Sequence, residues 1–459
     1  MVTDMRYRDN VMISDMRDYN SIDKLQYGDL LSTTILTIKS SYKLNSVRAN
    51  TLVLALKENP SLTTFNIFET KISSKAAQIL ALALKNYVTL TNLNISYNKI
   101  NSKVVMALAL GISSNITIKT LNMSYNKIGD EGAEALSEMI NNTITTLNIC
   151  NNNISDISIR MIADRLQVNT SIKTLNISNN DINNIGAQYL AVALEYNNTL
   201  TTLDISNNYI RDEGICMIIG SLAENTTLRT LNISNNIISE EGMKIIAHKL
   251  QVNTTLTKLI INENNIGSIG SLYLTIVLEY NTTLMVLDIS NNNIGASGVE
   301  YLAEVLSFNT TLRTLDISYN NISDKGVEYL AEVLKVNNTL TSLNINSNKI
   351  NNYGLKMLAI ALKDNTTLTE LNMLWNLHTY NIIAQAFIET LQTNTTLIKL
   401  NFNVNYVIEL DLQKLLIRNK NKNMSLKKIV VKKLLDSGKT INLSNLSNDV
   451  ISMFDINAQ

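Results

Sequence analysis

One phrase, Leu-x-x-Leu-x-Leu-x-x-Asn-x-Ile, recurs thirteen times between Leu62 and Val407, and from Leu90 onward the copies stand almost always 28 residues apart. The stretches Leu228 to Ile238 and Leu312 to Ile322 are clean copies. A fixed period of this length signals a solenoid, because one such unit cannot bury its own apolar face and must stack on neighbours. A chain of 459 residues would otherwise suggest about two or three globular domains. The unbroken repeat argues instead for one elongated body.

Within each unit the Leu-x-Leu piece alternates apolar and polar residues, which predicts a short strand with one buried face. The second half predicts a helix: Val327, Leu330, Ala331 and Leu334 fall on one stripe at i, i+3, i+4 and i+7. A helix is the crossover that parallel strands need. Stacked strands lie about 4.8 Å apart and packed helices about 8–10 Å apart, so the helical side must be the longer. The expected fold class is therefore α/β, a horseshoe solenoid with parallel strands on the concave face and helices on the convex face.

The asparagine of the phrase stands at Asn98, Asn126, Asn152, Asn180, Asn208, Asn236, Asn264, Asn292, Asn320, Asn348, Asn376 and Asn405. Its amide both donates and accepts, so stacked copies can satisfy the backbone groups freed where each strand turns outward. The unit starting at Leu62 departs from this with Thr70.

The phrase, followed by Gly-Asp-Glu-Gly-Ala-Glu-Ala-Leu at 129–136, resembles the ribonuclease-inhibitor-like class of leucine-rich repeats, also found in NOD-like receptors and Ran GTPase-activating proteins. The resemblance covers roughly residues 33–420. It implies the horseshoe and a protein-binding role, and it specifies no partner, because that class serves many. Regulation of a small GTPase or signalling protein is a second function that it suggests.

Two steps slip in register: Ile118 to Ile144 spans 26 residues and Leu368 to Leu397 spans 29, and slight irregularities are expected there. Ile35 to Pro60 reads as a degenerate first unit, with Leu52, Ala55 and Leu56 on its apolar stripe. The expected organisation is a polar leader or cap at 1–32, a solenoid at 33–423 and a basic cap or tail at 424–459. From Lys414 to Lys439 there are nine basic residues and one acid, Asp436. Leu426, Ile429 and Val430 interleave with Lys427, Lys428, Lys432 and Lys433, a pattern shared by terminal caps and by amphipathic helices that bind anionic lipid or RNA.

With 39 basic and 39 acidic side chains, no global field steers the chain to nucleic acid or membrane. There is no signal-peptide-like start and no apolar run of membrane-spanning length. Cys150 and Cys216 fall on different elements two repeats apart and make a poor disulfide pair. Acceptor sequons for N-glycans recur, at Asn225, Asn253 and Asn281 and, on strands, at Asn176 and Asn232. Glycans there would jam the stacking, so an intracellular, cytoplasmic location is expected, including delivery into a host cell.

Catalytic constellations are lacking. His248 and His378 are the only histidines, and His248 falls on an exposed helix face. Neither has the partners of a general base or a zinc site. Gly438-Lys439-Thr440 ends like a phosphate loop, but Lys433 stands where that loop needs glycine. No catalysis, cofactor, metal or small-molecule substrate is expected.

Most concave-face positions are small and neutral, as in Thr174, Asn176 and Ser178. The departures are the candidates for partner binding. They are Glu370, Asn372, Leu374 and Trp375, the only tryptophan, together with Asp288 and Asp316, which fall in one column of neighbouring strands. Trp375 reads equally as an anchor for a partner or as a cap over a degenerate repeat. For the two aspartates the readings are solvent screening, a nearby cation or a basic group from a partner. Tyr97, Tyr125 and Tyr319 add aromatics at strand exits.

Overall fold

A computed structural model of the protein describes residues 10–14, 33–39, 43–57, 59–377, 380–403 and 410–422. They fall into two compact units, Met1–Ile266 and Gly267–Gln459, within the stretch that reads as one repeat array. The first unit runs β1 (Asn10–Ser14), β2 (Ile35–Lys39), α1 (Ser46–Lys57), β3 (Thr64–Phe68), α2 (Ser74–Asn86), β4 (Asn92–Asn94), α3 (Ser102–Ile112) and β5 (Thr120–Asn122). It continues with α4 (Ala133–Met139), β6 (Thr146–Asn148), α5 (Asp156–Val168), β7 (Thr174–Asn176), α6 (Asn184–Tyr196), β8 (Thr202–Asp204), α7 (Arg211–Ser221), β9 (Thr230–Asn232), α8 (Glu240–Leu250) and β10 (Lys258–Ile260). The second unit contains α9 (Gly267–Tyr280), β11 (Val286–Asp288), α10 (Gly295–Leu306), β12 (Thr314–Asp316) and α11 (Ser323–Val336). After these come β13 (Ser342–Asn344), α12 (Asn352–Ala361), β14 (Glu370–Asn372), α13 (Tyr380–Thr393) and β15 (Lys399–Asn401). Residues 410–422 form a terminal helix.

Within each unit every strand pairs in parallel and in register with the next, so equivalent residues stack. Thr174, Thr202 and Thr230 face one another in the first unit, and Leu315, Leu343, Leu371 and Leu400 in the second. The core lies between strands and helices. Val327, Leu330, Ala331 and Leu334 of α11 are all buried there, which is the stripe the helical period predicts. Strand β1 lies inside the segment that reads as a leader or cap, and it extends the stack by pairing with β2 from Asn10↔Ile35 to Ser14↔Lys39.

Most strands are only three residues long for a local reason. The Asn or Asp ending the strand accepts the N–H two residues on, as Asn94 does from Ser96 at 3.1 Å and Asp316 from Ser318 at 2.9 Å. This Asx turn bends the chain outward. In β3, Asn66 instead donates sideways to the Thr37 hydroxyl at 2.9 Å, and the strand runs on to Phe68.

Helix starts are braced between repeats. Asp324 of α11 accepts the N–H groups of Asn351 (2.9 Å) and Gly354 (3.2 Å) at the start of α12. An acid here satisfies donors that a helix start leaves open and complements its dipole. The 26-residue step uses a variant of the same device. A 3₁₀ turn at Asp130–Gly132 precedes α4, which is only seven residues long. Asp130 accepts from the Ser155 N–H at 2.9 Å and from the hydroxyls of Ser155 and Ser158, each at 2.5 Å.

Burial of Asp130 favours its protonated form, but the Ser155 and Ser158 donors outweigh burial and hold the carboxyl below its ordinary value. Since the folded value lies below the unfolded one, this carboxylate stabilises the fold above about pH 3.9 and loses that effect as pH falls further. Asp130→Asn is thus expected to lower the urea midpoint at pH 7, with the difference from wild type narrowing as the pH of a series of urea titrations falls below about 3.9.

Cys150 is buried and Cys216 partly so, and both are free thiols. Burial pushes the Cys150 thiol up, away from the reactive thiolate form.

Candidate interaction face

The strand face is formed by the side chains flanking each central leucine. From β5 to β9 of the first unit it is uniform: Thr120, Thr146, Thr174, Thr202 and Thr230 stack in one column, with Asn122, Asn148, Asn176, Asp204 and Asn232 beside them, before Lys258 and Ile260 of β10 break both columns. The second unit is different. Thr314, Ser342, Glu370 and Lys399 share one column, and Asp316, Asn344, Asn372 and Asn401 the next. Together these two columns line a shallow depression of about 210 Å³.

The structure brings Asp316, Glu370 and Asn372 to this depression, and Asp288 pairs in register with Asp316 at its side. Both aspartates carry donors. Asp288 accepts from the N–H (3.0 Å) and hydroxyl (2.8 Å) of Ser290. Asp316 accepts from the N–H (2.9 Å) and hydroxyl (2.7 Å) of Ser318 and from the Asn344 amide at 2.6 Å. These bonds offset part of the like-charge repulsion within the protein. Glu370 meets Lys399 at 3.4 Å, with the lysine exposed and the glutamate half-buried, so the pair is open to competition from a partner on its solvent side.

Asn372, like Asn66, departs from the Asx-turn rule that Asn94 and Asp316 follow. The Leu374 N–H donates to Asn346 at 2.7 Å rather than back to Asn372, and Asn372 Oδ1 is buried without a hydrogen bond. Immediately beyond it Trp375 stands 68% exposed with φ at 59°. That left-handed backbone suits asparagine, which fills the same column at Asn291, and it disfavours bulky side chains. Tyr319 occupies the column two repeats earlier, at φ 56° and also exposed. Trp375 therefore covers little of its own repeat, which weighs against the reading as a cap. Leu374 is half-buried and Leu377 is exposed beside it, and His378 lies outside the described residues. In the first unit Tyr97 and Tyr125 share this column and stack, with ring centroids 4.2 Å apart and planes 7° from parallel.

The asparagines of the phrase sit behind these exits and are structural in their contacts. Asn180 Oδ1 accepts the N–H groups of Asn152 (2.9 Å) and Ile154 (3.1 Å), while its amide donates to the carbonyls of Ile149, Ile177 and Ser178. Asn348 does the same for Asn320 and Ile322. Even Thr70, the exception, donates its N–H to Asn98 at 2.8 Å. Asn152 is a partial member: the 26-residue step moves the previous turn away, and its Oδ1 has no partner. Asn405 lies outside the described residues.

Sequence reasoning misses a second asparagine ladder at the helix ends. Asn225 donates to the carbonyls of Leu194 (2.7 Å) and Asn197 (3.1 Å) of the repeat before, and accepts from Thr227 and Leu228. Asn169, Asn197, Asn309, Asn337 and Asn365 donate backward likewise. Asparagine recurs there every 28 residues, so the signal is present, but the Asn-x-Thr triplet also spells a glycan acceptor. The terminal helix takes the last step. Asn419 donates to the carbonyls of Asn394 (3.1 Å) and Leu397 (2.8 Å), with Leu412 and Leu416 buried alongside. In the described part of the basic segment Leu416 is buried and Ile417 exposed, and residues 423–459 lie outside the described residues.

No curated protein matches the sequence. Among solved structures, leiomodin-1 actin-binding site 2 is 28% identical, with 29% of this chain and 79% of that chain covered and a TM-score of 0.28. The leucine-rich-repeat profile matches nine segments, at residues 88–109, 114–137, 168–191, 196–218, 224–247, 252–273, 280–303, 308–331 and 336–359. With nine matched repeats laid on in-register parallel strands and their crossover helices, the chain belongs to the leucine-rich-repeat proteins.

Proposed function

We propose that the protein is a non-enzymatic scaffold that binds a protein partner on the concave, strand-lined face of its second unit. Trp375 is the anchor, and Glu370, Asn372, Leu374, Asp316 and Asp288 form the polar surround. The observation that carries this reading is an exposed tryptophan in a backbone conformation that disfavours it, beside an acidic depression. Aromatic anchors next to polar groups are the usual centre of binding energy. The partner that fits presents an apolar knob flanked by a basic group, which would compete with Lys399 for Glu370.

Trp375→Ala combined with Glu370→Lys should reduce capture of the native partner from lysate about 30-fold, the effect of losing one hot spot of roughly 2 kcal/mol. Both residues lie at the surface, so the circular dichroism spectrum should not change. Undiminished capture would place the binding surface elsewhere.

The same reading sets the protein in a compartment without N-glycosylation, such as the cytoplasm. Support comes from the burial of the sequon asparagines Asn225, Asn253 and Asn281. Among the described residues no helix is long and apolar enough to cross a membrane.

A further inference from the structure

On the outer side of the second unit one residue per repeat sits where a helix meets the helix before it. Eleven residues before each helix-end asparagine stands a glycine: Gly298 before Asn309, Gly326 before Asn337 and Gly354 before Asn365. At these positions the helix lies against the one before it. A Cβ on Gly326 would stand 3.4 Å from the Ala296 Cα, and one on Gly354 would stand 3.2 Å from the Asp324 Cα and 2.6 Å from its carboxylate. Helix α13 lacks the glycine. Counting eleven back from Asn394 gives Ile383, which is fully buried. Where the preceding helices carry this glycine, α13 therefore carries a buried branched side chain. At its far end α13 stays pinned, through the Thr390 hydroxyl donating to the Ala359 carbonyl at 2.7 Å.

Between α12 and α13 runs an open groove of about 630 Å³. Ala359 and Ala386 form its floor, and Ile360 and Ile382, 55% and 44% exposed, form its two lips. Lys356 and Lys363 line the α12 side, and Glu389, which accepts from the Gln385 amide at 3.5 Å, lines the α13 side. The two lysines are seven residues apart, about 10 Å along the helix, and neither forms a salt bridge with an acid among the described residues.

We propose that this groove docks an amphipathic α-helix of a partner protein. The docked helix places an apolar stripe between Ile360 and Ile382 and carries acidic residues about two turns apart against Lys356 and Lys363. The charge of the α12 wall selects this occupant: its two cations at helical spacing outnumber the single Glu389 carboxylate across the apolar trough and complement an acidic amphipathic helix, the groove mode of peptide recognition. The site is on the opposite side of the repeat from Trp375 and does not depend on the strand-face reading.

The test uses the full chain and a displayed library of 16-residue peptides. Apolar residues are fixed at i, i+3, i+4, i+7 and i+11, and the flanking positions vary among Glu, Lys, Gln and Ala. Selected peptides should carry glutamates seven residues apart. Their affinity should fall at least about tenfold, roughly 1.4 kcal/mol, on Ile360→Asp with Ile382→Asp, and stay unchanged on Trp375→Ala. Lys356→Glu with Lys363→Glu should turn the selection toward lysine. If the double aspartate variant fails to fold, Gln385→Trp blocks the groove from an exposed position. The proposal is overturned if no peptide is enriched, if binders ignore both groove variants, or if sedimentation shows a self-association that the groove variants abolish, since the occupant would then be a second copy.

Discussion

Asn180→Leu is expected to destabilise the first unit by roughly 3–6 kcal/mol, because it strands the buried N–H groups of Asn152 and Ile154 at about 1–3 kcal/mol each and deprives three carbonyls of their donor. The neighbouring Asn152→Leu provides the internal control. Asn152 is as deeply buried, and its amide donates at 3.0 Å to Met123, Ile149 and Cys150, but its Oδ1 serves no donor. Its replacement should therefore cost at least about 2 kcal/mol less. Urea titration of the two variants, with hydrogen exchange at the amides of β6 to β8, measures the difference. Equal losses would mean that the acceptor half of the ladder contributes nothing to stability.

Routing the chain through a glycosylating compartment should abolish the folded protein. Asn225 is 2% exposed, and its Nδ2 is the atom that a glycan would occupy while it donates to two carbonyls of the previous repeat. Asn253 and Asn281 are buried in the same column. Each modification removes donors worth about 1–3 kcal/mol before the bulk of the sugar is considered. Several together exceed the net stability of roughly 5–15 kcal/mol that a folded domain has to lose. Expression behind a cleavable secretory signal should yield glycosylated chain with no protease-resistant core, and inhibiting N-glycosylation should restore that core. A glycosylated chain that retained a resistant core with sugar on Asn225 would refute the buried ladder.

Much of this was legible in the residues because the relevant periods are local. Alternation around Leu315 and the stripe from Val327 to Leu334 each follow from the geometry of one element, and the 28-residue step stacks equivalent residues. The candidate site was legible in part. Trp375, Glu370 and Asp316 stand out as departures from a uniform column, but the ion pair to Lys399 and the bonds that hold Asp288 and Asp316 depend on neighbouring side chains. Asn225 shows the opposite problem, a visible signal with two meanings, between which only the direction of its amide decides.

By itself the sequence determined the stacking of repeats, the order of strand and helix, and which residue falls in which column, since these follow from periods of two, 3.6 and 28 along the chain. Only the tertiary structure decided which of two identical asparagines carries a full set of bonds, that Trp375 lies open rather than folded over its repeat, and that α12 and α13 part to form a groove. Those outcomes rest on the distance between neighbouring repeats. A shortened step at Asn152 changes that distance, and its effect appears only when both repeats are in place.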